Sequence, residues 1–103
     1  MDLGLTGKVA IITGGSDGLG KAAATRIAAE GGKVALAARD QGRIDSAIAE
    51  IKSATGNSDV IGISTDVTDE AQVQSMVDAV VTQWGGVDIL VNNAGTSASG
   101  KFE

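Results

Sequence analysis

The sequence predicts an α/β fold: a parallel sheet built β-α-β-α-β-α-β, with strand order 3-2-1-4. Three observations carry that expectation. Short apolar runs alternate with longer helical patterns through most of the 103 residues. Such alternation calls for right-handed crossovers, which leave neighbouring strands parallel. Hydrophobic residues make up 43% of the chain, yet Trp84 and Phe102 are its only aromatics. The core must therefore be Val, Ile, Leu and Ala, the usual filling of a parallel sheet covered by helices. Finally, a glycine-rich turn, Thr13-Gly14-Gly15-Ser16-Asp17-Gly18-Leu19-Gly20, joins the first apolar run to the first helix.

Each element can be justified in order. Residues 8–13 form a short apolar run and read as a buried strand. Residues 18–30 carry Leu19, Ala23 and Ile27, with Ala24 and Ala28, at four-residue spacing. That helix should stop at Gly31-Gly32, where a left-handed cap is easily formed. Residues 34–38 form the second strand. Asp40 is a plausible N-cap for the next helix, whose buried stripe is Ile44, Ala47, Ile48 and Ile51 and which Gly56 closes. Residues 60–64 make the third strand. Thr68 or Asp66 can cap the clearest helix, in which Val73, Met76, Val77, Val80, Val81 and Trp84 repeat at three- and four-residue intervals. Gly85-Gly86 ends it, and residues 87–91 are the fourth strand. After Gly95 the pattern stops. A single domain over residues 1–103 is expected, incomplete at its carboxy-terminal side.

Composition excludes several classes of function. The formal net charge is −5 without a Lys or Arg cluster, so nucleic acid and anionic membranes are poor partners. The absence of Cys rules out disulfides and thiolate chemistry. No basic stretch followed by an apolar one opens the chain, and no apolar run nears the roughly 20 residues that span a bilayer. A cytoplasmic location is the expectation. An anionic cofactor stays possible, because the field at a helix terminus is local and can outweigh the global sign.

The glycine turn admits two phosphate-binding readings. Gly15-Ser16-Asp17-Gly18-Leu19-Gly20-Lys21-Ala22 nearly matches the triphosphate pattern of glycine, four residues, then Gly-Lys-Ser/Thr. Ala22 lacks the magnesium-ligating hydroxyl, and the fourth strand runs into Asn92 rather than a carboxylate, although Asp66 could be argued for that role. In the dinucleotide reading, Gly14 lies at the strand end, Gly18 permits close approach of a pyrophosphate and Gly20 lets the helix pack on the sheet. Its setting inside a β-α-β unit of the right size favours this second reading.

The spacing Thr-Gly-x-x-x-Gly-x-Gly at residues 13–20, Asp66-Val67 after the third strand, and Asn92-Asn93-Ala94-Gly95 after the fourth resemble the short-chain dehydrogenase/reductase family. Three separated motifs in the correct order cover essentially the whole chain. The resemblance implies a Rossmann-like fold, of which this chain would be half of a doubly wound domain. It also implies a nicotinamide dinucleotide and hydride transfer to or from a carbonyl or alcohol. By position, Gly14, Ser16, Gly18 and Leu19 would meet ribose and pyrophosphate. Asp66 would accept from the adenine amino group, the Val67 backbone would address the ring, and Asn93, Ala94 and Gly95 would line the adenosine–ribose side. Asn92 would tie the fourth strand to its neighbours. The plain alternatives are that Asp66 is only a helix cap and residues 92–95 only a turn.

An NAD site wants a carboxylate at the end of the second strand to hold the ribose hydroxyls. Ala38 stands there, and Arg39 follows with forked donors suited to a 2′-phosphate. NADP(H) is therefore expected, with NAD(H) the alternative. Asp40 and Asp17 speak for the alternative, since family members that prefer NADP often carry a basic residue where Asp17 sits. The family's tyrosine, with the lysine and serine that act beside it, has no counterpart: the chain contains no Tyr, His or Cys. No catalytic residue and no metal site are assigned. Two expectations of different class follow. One is the amino-terminal, cofactor-binding half of an oxidoreductase, inactive alone, which self-associates or pairs with a complementary carboxy-terminal half. The other is a stand-alone nucleotide-binding or interaction module without catalysis.

Overall fold

A computed structural model of the chain describes residues 4–14 and 18–92. Seven elements follow one another: β1 (Val9–Thr13), α1 (Gly18–Ala29), β2 (Lys33–Ala38), α2 (Gln41–Thr55), β3 (Val60–Ser64), α3 (Glu70–Trp84) and β4 (Ile89–Asn92). The strands form one sheet in the order β3-β2-β1-β4, and every pairing is parallel. This is the expected α/β architecture.

Alternation along the strands divides the core into two layers. Ala10, Ile12, Val34, Leu36 and Val60 pack on one face against Ala24, Ile27 and Ala28 of α1 and Ile44, Ala47 and Ile51 of α2. Val9, Ile11, Ala35 and Ala37 point to the other face and meet Met76 and Val80 of α3. Because strand side chains alternate with period two, a continuous apolar run is the only pattern that satisfies helices on both faces. All five residues of β1 are accordingly buried.

The helix ends show why the elements stop where they do. Asp40 caps α2 by accepting from the Arg43 amide, and Gly56, at φ 73°, closes it with its N–H on the Lys52 carbonyl. Gly85 closes α3 in the same way, at φ 90° with its N–H on the Val81 carbonyl. Asn57 stitches the far end of the sheet: its Nδ2 donates to the carbonyls of Ala28 and Gly32 at 3.0 and 2.8 Å. At the same end Asp88 pairs with β1 through both its amide and its carboxylate, on the Val9 carbonyl and amide respectively. Regular pairing of β4 therefore begins only at Ile89, two residues later than the apolar run suggests.

Three sequence expectations need correction. The cap of α3 is neither Thr68 nor Asp66 but Asp69, whose carboxylate accepts from the amides of Ala71 and Gln72. Leu19 is 79% exposed rather than part of the α1 stripe, because it sits in the first turn, ahead of the stretch that packs on the sheet. Val81 is 42% exposed, so the buried line of α3 is Met76 and Val80 flanked by Val73, Val77 and Trp84. No helix among the described residues is long and apolar enough to cross a membrane. Among the same residues no group of three or more acidic or His side chains could hold a metal ion.

Candidate cofactor site

Parallel pairing puts the carboxy-terminal ends of all four strands on one edge of the sheet. The chain order reverses between β1 and β4, since β2 and β3 lie to one side of β1 and β4 to the other. Such a switch point leaves a crevice, because the loops after the two strands depart in opposite directions. The glycine turn leaves β1 at this place.

Of the residues anticipated for the site, Gly14, Gly18, Leu19, Arg39, Asp66 and Val67 are described, whereas Ser16, Asp17, Asn93, Ala94 and Gly95 lie outside the described residues. Gly14 adopts φ 66° and Gly18 φ 57°, conformations that residues with a Cβ seldom take. The Gly14 amide is engaged by the Ala37 carbonyl at 2.7 Å, so this residue serves the turn through its backbone freedom and not as a free donor. Gly18 opens α1, and nothing lies within 4 Å of the place a Cβ would occupy. The first-turn amides of a helix have no intrahelical acceptor, and the positive end of the helix dipole lies with them. Leu19 stands in the open beside them. Asn92 holds β4 to β1: the Thr13 hydroxyl contacts Asn92 Oδ1 at 3.0 Å.

Beyond the glycine turn along the same sheet edge, after β2 and β3, Arg39 and Asp66 meet. Arg39 Nη2 lies 3.4 Å from Asp66 Oδ2, with the guanidinium side chain 73% exposed and the carboxylate side chain 32%. Ser64 ties the two strand ends together by donating its hydroxyl to the Arg39 carbonyl at 2.9 Å. Asp66 is itself held in place. The Thr68 hydroxyl and amide donate to Oδ1 at 2.6 and 3.0 Å, and the Asp66 amide donates to Gln72 Oε1 at 2.8 Å. The hydrogen bonds from Thr68, and after them the Arg39 charge, hold the Asp66 carboxyl below its ordinary value of 3.8. Val67 follows it, 37% exposed.

Two rival assignments lose ground. Lys21, the phosphate-reaching lysine of the triphosphate reading, forms an ion pair with Glu50 of α2. Asp40, the carboxylate that would favour NAD, is engaged as the α2 cap and lies 3.8 Å from Arg43 Nε. The structure adds Thr68 and Gln72 to the site. The signal for Thr68 was present in Asp-x-Thr, the spacing at which a carboxylate folds back on the backbone two residues on. Gln72, six residues from Asp66, gave none.

A dinucleotide needs a glycine-lined approach, a helix amino-terminus and polar groups at neighbouring strand ends. Open space at Gly18, the exposed Arg39 fork and the oriented Asp66 meet these requirements, so the residues present fit such a group. Fold and switch point together define the doubly wound dinucleotide-binding class. Within that class the chain belongs to the short-chain dehydrogenase family, whose profile matches residues 8–103. It is 43% identical over 96 residues to the uncharacterized oxidoreductase YuxG of Bacillus subtilis, covering 93% of this chain and 14% of that protein. It is 43% identical over 99 residues to the 2,5-dichloro-2,5-cyclohexadiene-1,4-diol dehydrogenase LinX of Sphingobium indicum, covering 96% of this chain and 39% of the relative. Among solved structures, L-sorbose reductase from Gluconobacter frateurii, complexed with NADPH and L-sorbose, superimposes with a TM-score of 0.87 at 42% identity. That match covers 98% of this chain and 38% of the reductase. The chain thus spans well under half the length of these relatives.

Proposed function

We propose that residues 1–103 are the NADP(H)-binding, amino-terminal half of a short-chain oxidoreductase that moves a hydride between the nicotinamide and a carbonyl or alcohol substrate. Bound cofactor would donate hydride to a carbonyl or accept it from an alcohol; everything this chain contributes is binding and orientation. The first turn of α1 receives the pyrophosphate, with Gly14, Ser16, Gly18 and Leu19 around it. Asp66 accepts from the adenine amino group and Val67 borders the ring. Asn93, Ala94 and Gly95 line the adenosine–ribose side. Arg39 takes the 2′-phosphate, and Asp17 of the glycine turn is among the residues that line the cofactor. One observation carries the reading: an exposed guanidinium and a fixed carboxylate share the edge of the sheet onto which a positive-φ glycine turn opens. The solved reductase bound to NADPH, at 42% identity, supports the choice of cofactor.

Calorimetry with NADPH, NADH and ATP–Mg²⁺ on the 103-residue chain tests it. NADPH should bind more tightly than NADH, and ATP–Mg²⁺ more weakly than both. Arg39→Asp should invert the preference between the two dinucleotides, because it removes the forked donor and places a carboxylate where ribose hydroxyls can use it. Preference for ATP–Mg²⁺ would sink the dinucleotide reading, and an unchanged preference in the variant would sink the role of Arg39. Without a Tyr, His or Cys anywhere in its sequence, the chain alone should consume no NADPH with any carbonyl substrate.

A further inference from the structure

Resting on the dinucleotide reading above, we infer that Thr68 is a positioning residue that reserves one oxygen of Asp66, Oδ2, for the adenine amino group. Both Thr68 donors converge on Oδ1, the hydroxyl at 2.6 Å and the amide at 3.0 Å. A carboxylate oxygen offers about two acceptor sites, so Thr68 alone fills Oδ1. Oδ2 faces Arg39 Nη2 at 3.4 Å and keeps capacity for a second donor. The main chain beneath is fixed too. The Asp66 amide donates to Gln72 Oε1, and Gln72 Nε2 in turn donates to Asp69 Oδ2 at 3.2 Å, so the loop is pinned to the first turn of α3.

The consequence follows from the shape of a guanidinium. Arg39 carries a planar fork that matches both oxygens of a carboxylate at once. Released from Thr68, Asp66 can turn and give both oxygens to Arg39, which closes the acceptor that adenine would use. Thr68 blocks that outcome by occupying Oδ1, and it leaves Arg39 a single contact from which its remaining donors can reach an anion. Thr68 is exposed, so substitution there does not disturb the core.

The test compares NADPH with its hypoxanthine analogue, in which a carbonyl oxygen replaces the 6-amino group, by calorimetry on the wild-type chain, Thr68→Val and Thr68→Ser. The wild type should favour NADPH by about ten- to hundredfold, the worth of a hydrogen bond to a charged acceptor. Thr68→Val removes the hydroxyl and leaves only the amide on Oδ1, so it should lower that ratio through loss of NADPH affinity, while Thr68→Ser, which keeps both donors, should retain it. An equal fall for both ligands in Thr68→Val would mean a merely structural role and would overturn the inference, as would an unchanged ratio. If the wild type binds NADPH yet does not distinguish the analogue, Asp66 is not the adenine acceptor and the inference falls alone. If it binds neither dinucleotide, the functional reading falls and takes this inference with it.

Discussion

Gly62 shows how tightly single atoms are fitted beneath the candidate site. It lies in β3, two residues before Ser64, and an added Cβ would come within 2.0 Å of Ile44 Cγ2 and 2.8 Å of Ile48 Cδ1. Ile44 is wholly buried between α2 and the sheet and has no free direction in which to retreat. The absence of a side chain at Gly62 is therefore what lets α2 approach the edge strand that leads to Asp66. Gly62→Ala should destabilise the chain by about 1–3 kcal/mol, the usual cost of forcing a methyl into a filled core. Denaturant unfolding measures it. Ile44→Leu moves the clashing methyl one carbon outward, so the double variant should lose less than the sum of the two single ones. Strict additivity would show that the two residues are not in contact as described.

At the scale of the element, the start of α3 separates two aspartates by function. Asp69 accepts from the amides of Ala71 and Gln72 and is the cap. Asp66, three residues earlier, points its carboxylate at Thr68 and Arg39 instead. Asp69→Ala should lower stability by about 1 kcal/mol, the typical worth of an N-cap, while leaving dinucleotide binding nearly intact. Asp66→Ala should do the opposite. Equal effects on both properties would mean that cap and site cannot be told apart. Sequence reading could not make this division, because Asp66, Thr68 and Asp69 are all good caps and only the turn of the Asp66 side chain decides among them. The strands were far more legible. The third occupies Val60–Ser64, the same residues as the apolar run, since a run ended by polar residues leaves little choice. Helix stripes were legible in phase but not in extent: Leu19 and Val81 lie at the right spacing and yet beyond the reach of the sheet. Periodicity tells which side chains share a face, not how far the opposing surface extends. Of the candidate site, the positive φ at Gly14 and Gly18 follows from the glycine spacing in the sequence, whereas the support from Gln72 depends on a fold-back that no local pattern encodes.

For the whole molecule, the two faces of the sheet are unequally covered. Among the described residues α1 and α2 lie on one face and α3 alone on the other, and Ile89 and Val91 of β4 lean toward the first layer. Leu90, paired in register with Ile11 of β1, points to the second face and remains 46% exposed. Among the described residues β4 pairs with β1 and with no other strand. An apolar side chain on an unpaired edge is a template for association, and natural sheets usually protect such edges with charge or cover. The 103-residue chain prepared alone should therefore sediment as a concentration-dependent mixture of monomer and larger species. Leu90→Lys should shift that mixture toward monomer by placing a charge at the edge, with little change in melting temperature because the side chain is already half exposed. A wild type that stays monomeric at every concentration would show that the edge is protected by other means. Association that persists unchanged in Leu90→Lys would move the contact elsewhere, with exposed Val81 of α3 the next residue to substitute.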